Sequence, residues 1–313
     1  MTKEYPRITV ITAVYNGAKH IERMMQSLID QKYPNLEHII MDAGSKDGTV
    51  ELLQKYKEHI THLHSGPDRG HSDATNKALE FATGEIICLL NADDTYEDGA
   101  LMKVAKAWID NPGVDMVSFG ATIKKVNEDG TEKIIAVYDN PKHYQMTLHN
   151  LLYCPLLTAS RFWRRDVFER FGKILWESYD GKYLVASDRE FLLRLCLNKV
   201  KNVSFPGSVY NFYSHDDSLT FGKGNVLRCF KEHIFITQNI LDNKKISDEE
   251  MKQLKGWQVD QSVKLFVFSC LQMNFKEAFL ALKEGVSKWH IFWIMRCLLY
   301  PFEVIGRRIY RMF

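Results

Sequence analysis

Two carboxylates standing side by side after an apolar run give this sequence its sharpest chemical signal. The segment Glu85-Ile86-Ile87-Cys88-Leu89-Leu90 leads straight into Asn91-Ala92-Asp93-Asp94. Adjacent ionised carboxylates repel unless a cation or a hydrogen-bond donor compensates. Oxygen donors of this kind suit Mg2+ or Mn2+, which need only one or two protein carboxylates when phosphates fill the other positions. Asp93 is the candidate ligand. Asp94 reads as the cap of the helix that follows.

Three further clusters carry polar groups at comparable points. Ala13-Val14-Tyr15-Asn16-Gly17 closes one apolar segment, and Asp42-Ala43-Gly44-Ser45-Lys46-Asp47-Gly48-Thr49 closes another. The second is a tight turn into a helix, with Asp47 its natural cap. Tyr15 could stack on a nucleotide base, and Asp42 could accept a hydrogen bond from its ring nitrogen. In Pro67-Asp68-Arg69-Gly70-His71-Ser72-Asp73-Ala74-Thr75-Asn76-Lys77, the residues Asp68, Arg69 and Asp73 are placed to contact ribose or phosphate. Ser72 and Thr75 read equally well as solvated capping residues. Later, Asp188 opens an apolar-faced helix, Ser187–Leu197, where a carboxylate also gains from the helix dipole. Glu190, two residues on, points away from it. His215 follows the strand-like run to Tyr213 and by itself reads as a lone surface histidine.

The elements that must position these groups follow from hydrophobic period. Arg7–Val14, Leu36–Met41, Thr61–Ser65, Glu85–Leu90 and Asp115–Gly120 read as strands. Ala18–Gln31, Thr49–Ile60, Ser72–Ala82 and Asp98–Ile109 read as helices between them. Such alternation builds a mostly parallel sheet with helices on both faces, whose ligands gather at the carboxyl ends of the strands. Ala121–Tyr138 reads as a hairpin about Asn127-Glu128-Asp129-Gly130. Val203–Tyr213 is strand-like but interrupted at Pro206-Gly207. From about Asn225 the chain is helical.

Taken in order, Val14-Tyr15-Asn16, Asp42-x-Gly-Ser-x-Asp-Gly-Thr, Asp68-x-Gly, Asp73-Ala-x-Asn-Lys and Leu-Asn-Ala-Asp-Asp resemble the nucleotide-binding half of family-2 inverting glycosyltransferases. The likeness is continuous over about the first hundred residues and looser to about residue 220. It implies an α/β fold of the GT-A, Rossmann-like type over residues 1–222, with a helical region over 223–313. It implies that Tyr15 and Asp42, beside Ala13, hold the base of a UDP, GDP or dTDP sugar. Asp68, Arg69, Asp73, Lys77, Asn91 and Ala92 would line the donor site, with Asp93 and His215 at the metal. Asn91 departs from an acidic first position, and His71-Ser72 replace an aliphatic-aromatic pair. Asp188 falls where the family carries its general base, which takes the acceptor hydroxyl's proton as that oxygen attacks the anomeric carbon. No QxxRW motif occurs, which favours addition of a single sugar to a glycan or lipid-linked acceptor.

The composition fits this reading. Of 313 residues, 45% are hydrophobic and 26% charged, and the net charge of +2 gives no ground for nucleic-acid binding. Six scattered cysteines suit a reducing compartment. No signal-peptide core or bilayer-length apolar run is present; Ile291–Tyr300 is short and contains Arg296. The expected location is cytoplasmic, with peripheral attachment to the cytoplasmic face of the inner membrane. The tail from Lys288, with interleaved Trp, Tyr and Arg ending in Arg307, Arg308 and Arg311, reads either as a membrane-interface helix or as one packed on the protein. Pro301 is expected to kink or divide it. Two other functions share these features: an inactive sugar-nucleotide-binding scaffold, and a sugar nucleotidyltransferase. The second wants a glycine-rich basic loop after the first strand, which Val14-Tyr15-Asn16-Gly17 is not.

Overall fold

The computed structural model describes residues 5–127, 129–174, 186–215, 225–243 and 245–310, with the backbone alone for 291, 292 and 301–310. The chain divides into two compact units, Met1–Asp216 and Asp217–Phe313.

The first unit is built on a nine-stranded sheet. Its strands are β1 (Ile8–Val14), β2 (Leu36–Asp42), β3 (His62–Ser65), β4 (Ile86–Leu89), β5 (Thr95–Tyr96), β6 (Met116–Val126), β7 (Glu132–Tyr138), β8 (Arg161–Arg164) and β9 (Asn202–Tyr213). The helices around it are α1 (Ile21–Ile29), α2 (Thr49–Lys55), α3 (His71–Ala78), α4 (Ala100–Asp110), α5 (Leu148–Tyr153), α6 (Val167–Arg170) and α7 (Ser187–Leu197). The order is β3-β2-β1-β4-β8-β6-β9-β5, with β7 paired to β6. From β3 to β4 every pair is parallel. The central strands β1, β2 and β4 are buried almost throughout, as strands covered on both faces must be, and are accordingly rich in Ile, Val and Leu.

Past β4 the sheet becomes mixed. β8 is inserted antiparallel between β4 and β6, whereas β9 runs parallel to β6. The expected hairpin is present: β6 and β7 pair antiparallel, and the Asn127 amide donates to the Thr131 carbonyl at 2.9 Å. β9 is one continuous strand rather than two pieces. Its register against β6 slips around Gly120, opposite the Pro206-Gly207 step, where Gly207 takes φ 91°.

The second unit is helical: α8 (Val226–Asn243), α9 (Asp248–Leu271) and α10 (Phe275–Tyr310). Ser247 caps α9 in a reciprocal capping box with Glu250. The break in α10 lies at His290, whose φ of 56° and ψ of −145° are not helical. The backbone continues as helix through Pro301, so the division falls at His290 and not at the proline. The tail is partly packed on its own unit: Trp293 is fully buried, and its Nε1 donates to Ser262 Oγ at 3.1 Å. Leu298 and Leu299 are exposed. Among the described residues no helix is long and apolar enough to cross a membrane. Arg311 lies outside the described residues, as do the side chains of Arg307 and Arg308.

Candidate active site

The parallel register sets Val14 opposite Asp42, and Asp42 opposite Ser65, so three strands end along one edge. Two loops are laced together there. The Asn16 amide donates to Ser45 Oγ at 2.8 Å, and the Lys46 amide donates back to Asn16 Oδ1 at 3.0 Å. The Gly17 amide donates to Thr49 Oγ1 at 2.9 Å, and the Ala18 amide to Asp47 Oδ2 at 3.0 Å. The N-cap of α2 is Gly48 rather than the expected Asp47, which instead accepts from the Thr49 amide and ties in the first loop. Its carboxyl is held below the usual range: the slight burial that would raise it is outweighed by hydrogen bonds from Thr49 and Ala18.

Asp42 is only 1% exposed. Its carboxylate accepts from the Gly44 and Ser45 amides at 3.0 Å, from Ser65 Oγ at 2.6 Å, and from Ser45 Oγ. In this conformation it shapes the loop at the strand ends. Tyr15 stands out from the same loops at 66% exposure, an aromatic face open to a planar ligand. Ala13 lies behind it on β1, with Met41 as its lateral neighbour.

The third cluster borders α3. Asp68 Oδ1 accepts from the Gly70 amide at 2.8 Å, and burial raises the Asp68 carboxyl above its ordinary range. Asp73 accepts from the Arg69 amide at 3.0 Å and pairs with Lys77 at 3.0 Å. Burial would raise Asp73, but these donors win and hold it low. Ser72 and Thr75 are not solvated caps. Both are buried; Thr75 bonds back to the His71 carbonyl, and Ser72 Oγ meets Ser187 Oγ at 2.6 Å. That last bond joins the first turns of α3 and α7.

After β4, the two neighbouring carboxylates take different fates. Asp94 is fully buried and does not cap α4, whose N-cap is Gly99. It anchors β9 instead, accepting from Tyr210 OH, from the Tyr213 amide at 2.7 Å and from Asn91 Nδ2 at 2.9 Å. Asp93 is partly open, and its Oδ2 lies 2.8 Å from His215 Nε2. Arg23 holds the Asp93 carbonyl at 2.8 Å while its guanidinium lies 3.6 Å over the Tyr213 ring. His20 stacks on His215 with centroids 4.8 Å apart. Burial pushes the His20 pKa down, and the neighbouring His215 and Arg23 push it further.

Asp188 sits in the first turn of α7, accepting from Thr158 Oγ1 at 3.1 Å and from the Arg189 amide at 2.7 Å. Glu190 is engaged by Arg194 through two contacts of 2.9 Å, so it is structural. His71 lies within electrostatic reach of Asp188, Asn91, Asp93 and Asp68. Burial lowers its pKa, against the opposing influence of these four groups.

Residues 9–172, just over half of the chain, match the Glycosyl transferase family 2 pattern. The chain belongs to this family. The putative teichuronic acid biosynthesis glycosyltransferase TuaG of Bacillus subtilis is 38% identical over 108 residues, 33% of this chain and 42% of that protein. This chain thus covers about two fifths of TuaG. The uncharacterized glycosyltransferase Rv1514c of Mycobacterium tuberculosis is 25% identical over 195 residues, 61% of this chain and 70% of its own length. Among solved structures, S. aureus TarS 1–349 in complex with UDP-GlcNAc superposes with a TM-score of 0.63 at 18% identity, covering 90% of this chain and 80% of that one. The mannosyltransferase PcManGT from Pyrobaculum calidifontis, in complex with GDP-Man and Mn2+, gives 0.60 at 18% identity over 95% and 88%. The fold of this family-2 member is accordingly the mixed α/β, GT-A one.

Several residues of the site escaped sequence reasoning. Arg23 carried a faint signal, a cation early in a helix where the dipole disfavours it. Arg161 carried none. It is 1% exposed on β8, bonded through Nε to the Leu156 carbonyl, and burial pushes its pKa down to about 10 although Cys196 and Asp188 oppose this.

Proposed function

We propose that this protein transfers a single sugar from a nucleoside-diphosphate sugar to an acceptor hydroxyl with inversion, aided by Mg2+ or Mn2+. Residues 1–222 would form the catalytic part, and 223–313 its helical extension. One observation carries the reading: Asp93 and His215 converge to 2.8 Å just past the end of β4.

An oxygen and a nitrogen donor at that spacing fit a divalent cation. Among the described residues no group of three His, Cys, Asp or Glu could hold one unaided, so its other positions would fall to diphosphate oxygens. Bound there, the ion would neutralise charge developing on the leaving diphosphate. Arg23 fixes the backbone that presents Asp93, and Asp94 holds the end of β9 that presents His215. Tyr15 would stack on the base, with Ala13 and Asp42 shaping its seat. Asp68, Arg69, Asp73, Lys77, Asn91 and Ala92 would border the ribose, phosphates and sugar. Asp188 would take the proton of the acceptor hydroxyl as its oxygen bonds to the anomeric carbon. The bond from that carbon to the diphosphate breaks on the opposite face, so configuration inverts.

Nucleotide sugars bound to TarS and PcManGT support a donor of the UDP or GDP class, and the Mn2+ in PcManGT supports the cation. A glycan or lipid-linked acceptor fits a protein acting at the inner face of the membrane. The test is hydrolysis of a panel of nucleotide sugars with and without Mn2+. Metal-dependent hydrolysis that vanishes in Asp93→Ala is expected, whereas full retention in that variant would sink the proposed metal site.

A further inference from the structure

The first turns of α10 expose a stripe of large apolar side chains. Phe275 and Phe279 are 72% and 65% exposed, and Leu282 and Val286 are also open. At about 100° per residue these four fall within about 60° of arc. The turn leading into the helix extends the stripe, with Leu271 exposed and Met273 at 77%. Such a run is not the scattered exposure expected of an ordinary surface.

The helix cannot roll to hide it. Its adjacent face consists of the small residues Ala278, Ala281 and Gly285, all buried. A Cβ at Gly285 would lie 2.2 Å from the Trp293 ring, so close packing fixes which side faces out.

Charge indicates what covers the stripe. Lys276 and Lys283 are exposed and flank it on the side away from the small residues. Neither has an ion-pair partner among the described residues. Glu277 and Glu284 lie roughly opposite the stripe, and Glu277 is occupied by Lys231 at 2.6 Å. We propose that this face of α10, from Leu271 to Val286, docks on an anionic lipid surface. The Phe, Leu and Met side chains would enter the acyl boundary, and the lysine stems would lie along it with their ammonium groups at the headgroups. A second copy packed stripe against stripe would offer these lysines no acid from α10, because both glutamates are turned away. The surface is separate from the tail beyond Lys288, and the proposal does not depend on sugar transfer.

The test uses the full chain floated with vesicles of phosphatidylcholine alone, or mixed equally with phosphatidylglycerol. F275E/F279E alters only exposed positions and is expected to weaken binding to the mixed vesicles by at least about 100-fold. K276Q/K283Q is expected to weaken it by about 30-fold while binding to neutral vesicles is unchanged. Thermal melting of both variants should match the parent, which separates lost docking from lost folding. Undiminished flotation of F275E/F279E would overturn the proposal, as would failure of the parent chain to float with either vesicle. So would lipid-free self-association of the parent in sedimentation that F275E/F279E abolishes, since a second copy would then cover the stripe. None of these readouts uses turnover, so they stand or fall apart from the catalytic reading.

Discussion

Replacing His38 with glutamine should remove a specific part of the protein's acid sensitivity. His38 lies in the middle of β2, 1% exposed, with its Nε2 3.1 Å from Thr12 Oγ1. Burial pushes its pKa down to about 3 from an ordinary 6.5. The folded state thus keeps the ring neutral while the unfolded chain protonates it. For a group with a lowered folded pKa, the stability is complete above the unfolded value and is lost as pH falls from there toward the folded value. With these two pKa values, linkage gives a loss of about 2 kcal/mol between pH 7.5 and pH 5.

That window is chosen for its neighbours. Asp115, Glu37, Asp73 and Glu132 are carboxylates held low by their donors, and their contributions disappear only at more acid pH. His20 and His71 are also lowered, and burial with Asp93 beside it pushes the Asp94 carboxyl up to about 7. Their linked stabilities change there too, but all three are common to both proteins. The measurement is urea unfolding of the parent and His38→Gln at both pH values. The parent should lose about 2 kcal/mol more than the variant. Equal losses in the two proteins would mean that His38 either protonates within the folded sheet or is not buried as described, and the reasoning would be wrong.

The remaining expectations concern the site. Asp188→Asn should lower sugar transfer by about 10²–10⁴-fold while leaving the dissociation constant of the donor unchanged, as seen by calorimetry. Intact transfer would end its assignment as base. Tyr15→Ala should weaken donor binding by about tenfold through lost stacking, with melting temperature unaltered because the ring is exposed. Tyr210→Phe removes one of three side-chain and backbone donors from buried Asp94 and should cost about 1.5–3 kcal/mol in chemical unfolding. Burial and the neighbouring Asp93 push the Asp94 carboxyl up to about 7, so the measurement is made at pH 8.5, where a neutral outcome would show that Asp94 is not held as a charged acceptor.

The strand ends that carry the proposed donor site were readable in the sequence because their geometry is local. β1, β2 and β4 are buried runs rich in Ile, Val and Leu, and each chemical residue ends its strand or follows it within a few positions. Parallel pairing then brings Tyr15, Asp42 and Asn91 to one edge without further information. What remained hidden depends on distant partners. Asp94 resembles a helix cap until Tyr210 and Tyr213 arrive from β9, more than a hundred residues away. Ser72 resembles a solvated cap until Ser187 meets it. β8, only Arg161-Phe162-Trp163-Arg164, has no alternation long enough to announce a strand and is fixed by β4 and β6 on either side.

These hidden contacts share a direction. Asp94 to β9, Ser72 to α7 and Thr158 to Asp188 each fasten an earlier residue to a later element carrying a candidate catalytic group. The proposed general base and the imidazole proposed to face the metal therefore sit on separate elements, α7 and the end of β9, and each is tied down by a short buried bond on its own element. A loosened tie would displace the catalytic group by small amounts while leaving the donor seat, laced independently through Asn16, Ser45, Asp47 and Thr49, unchanged. Variants of Ser72 or Tyr210 that still fold should consequently lower the rate of transfer more than the affinity for donor. Substitutions in the laced loops should do the reverse.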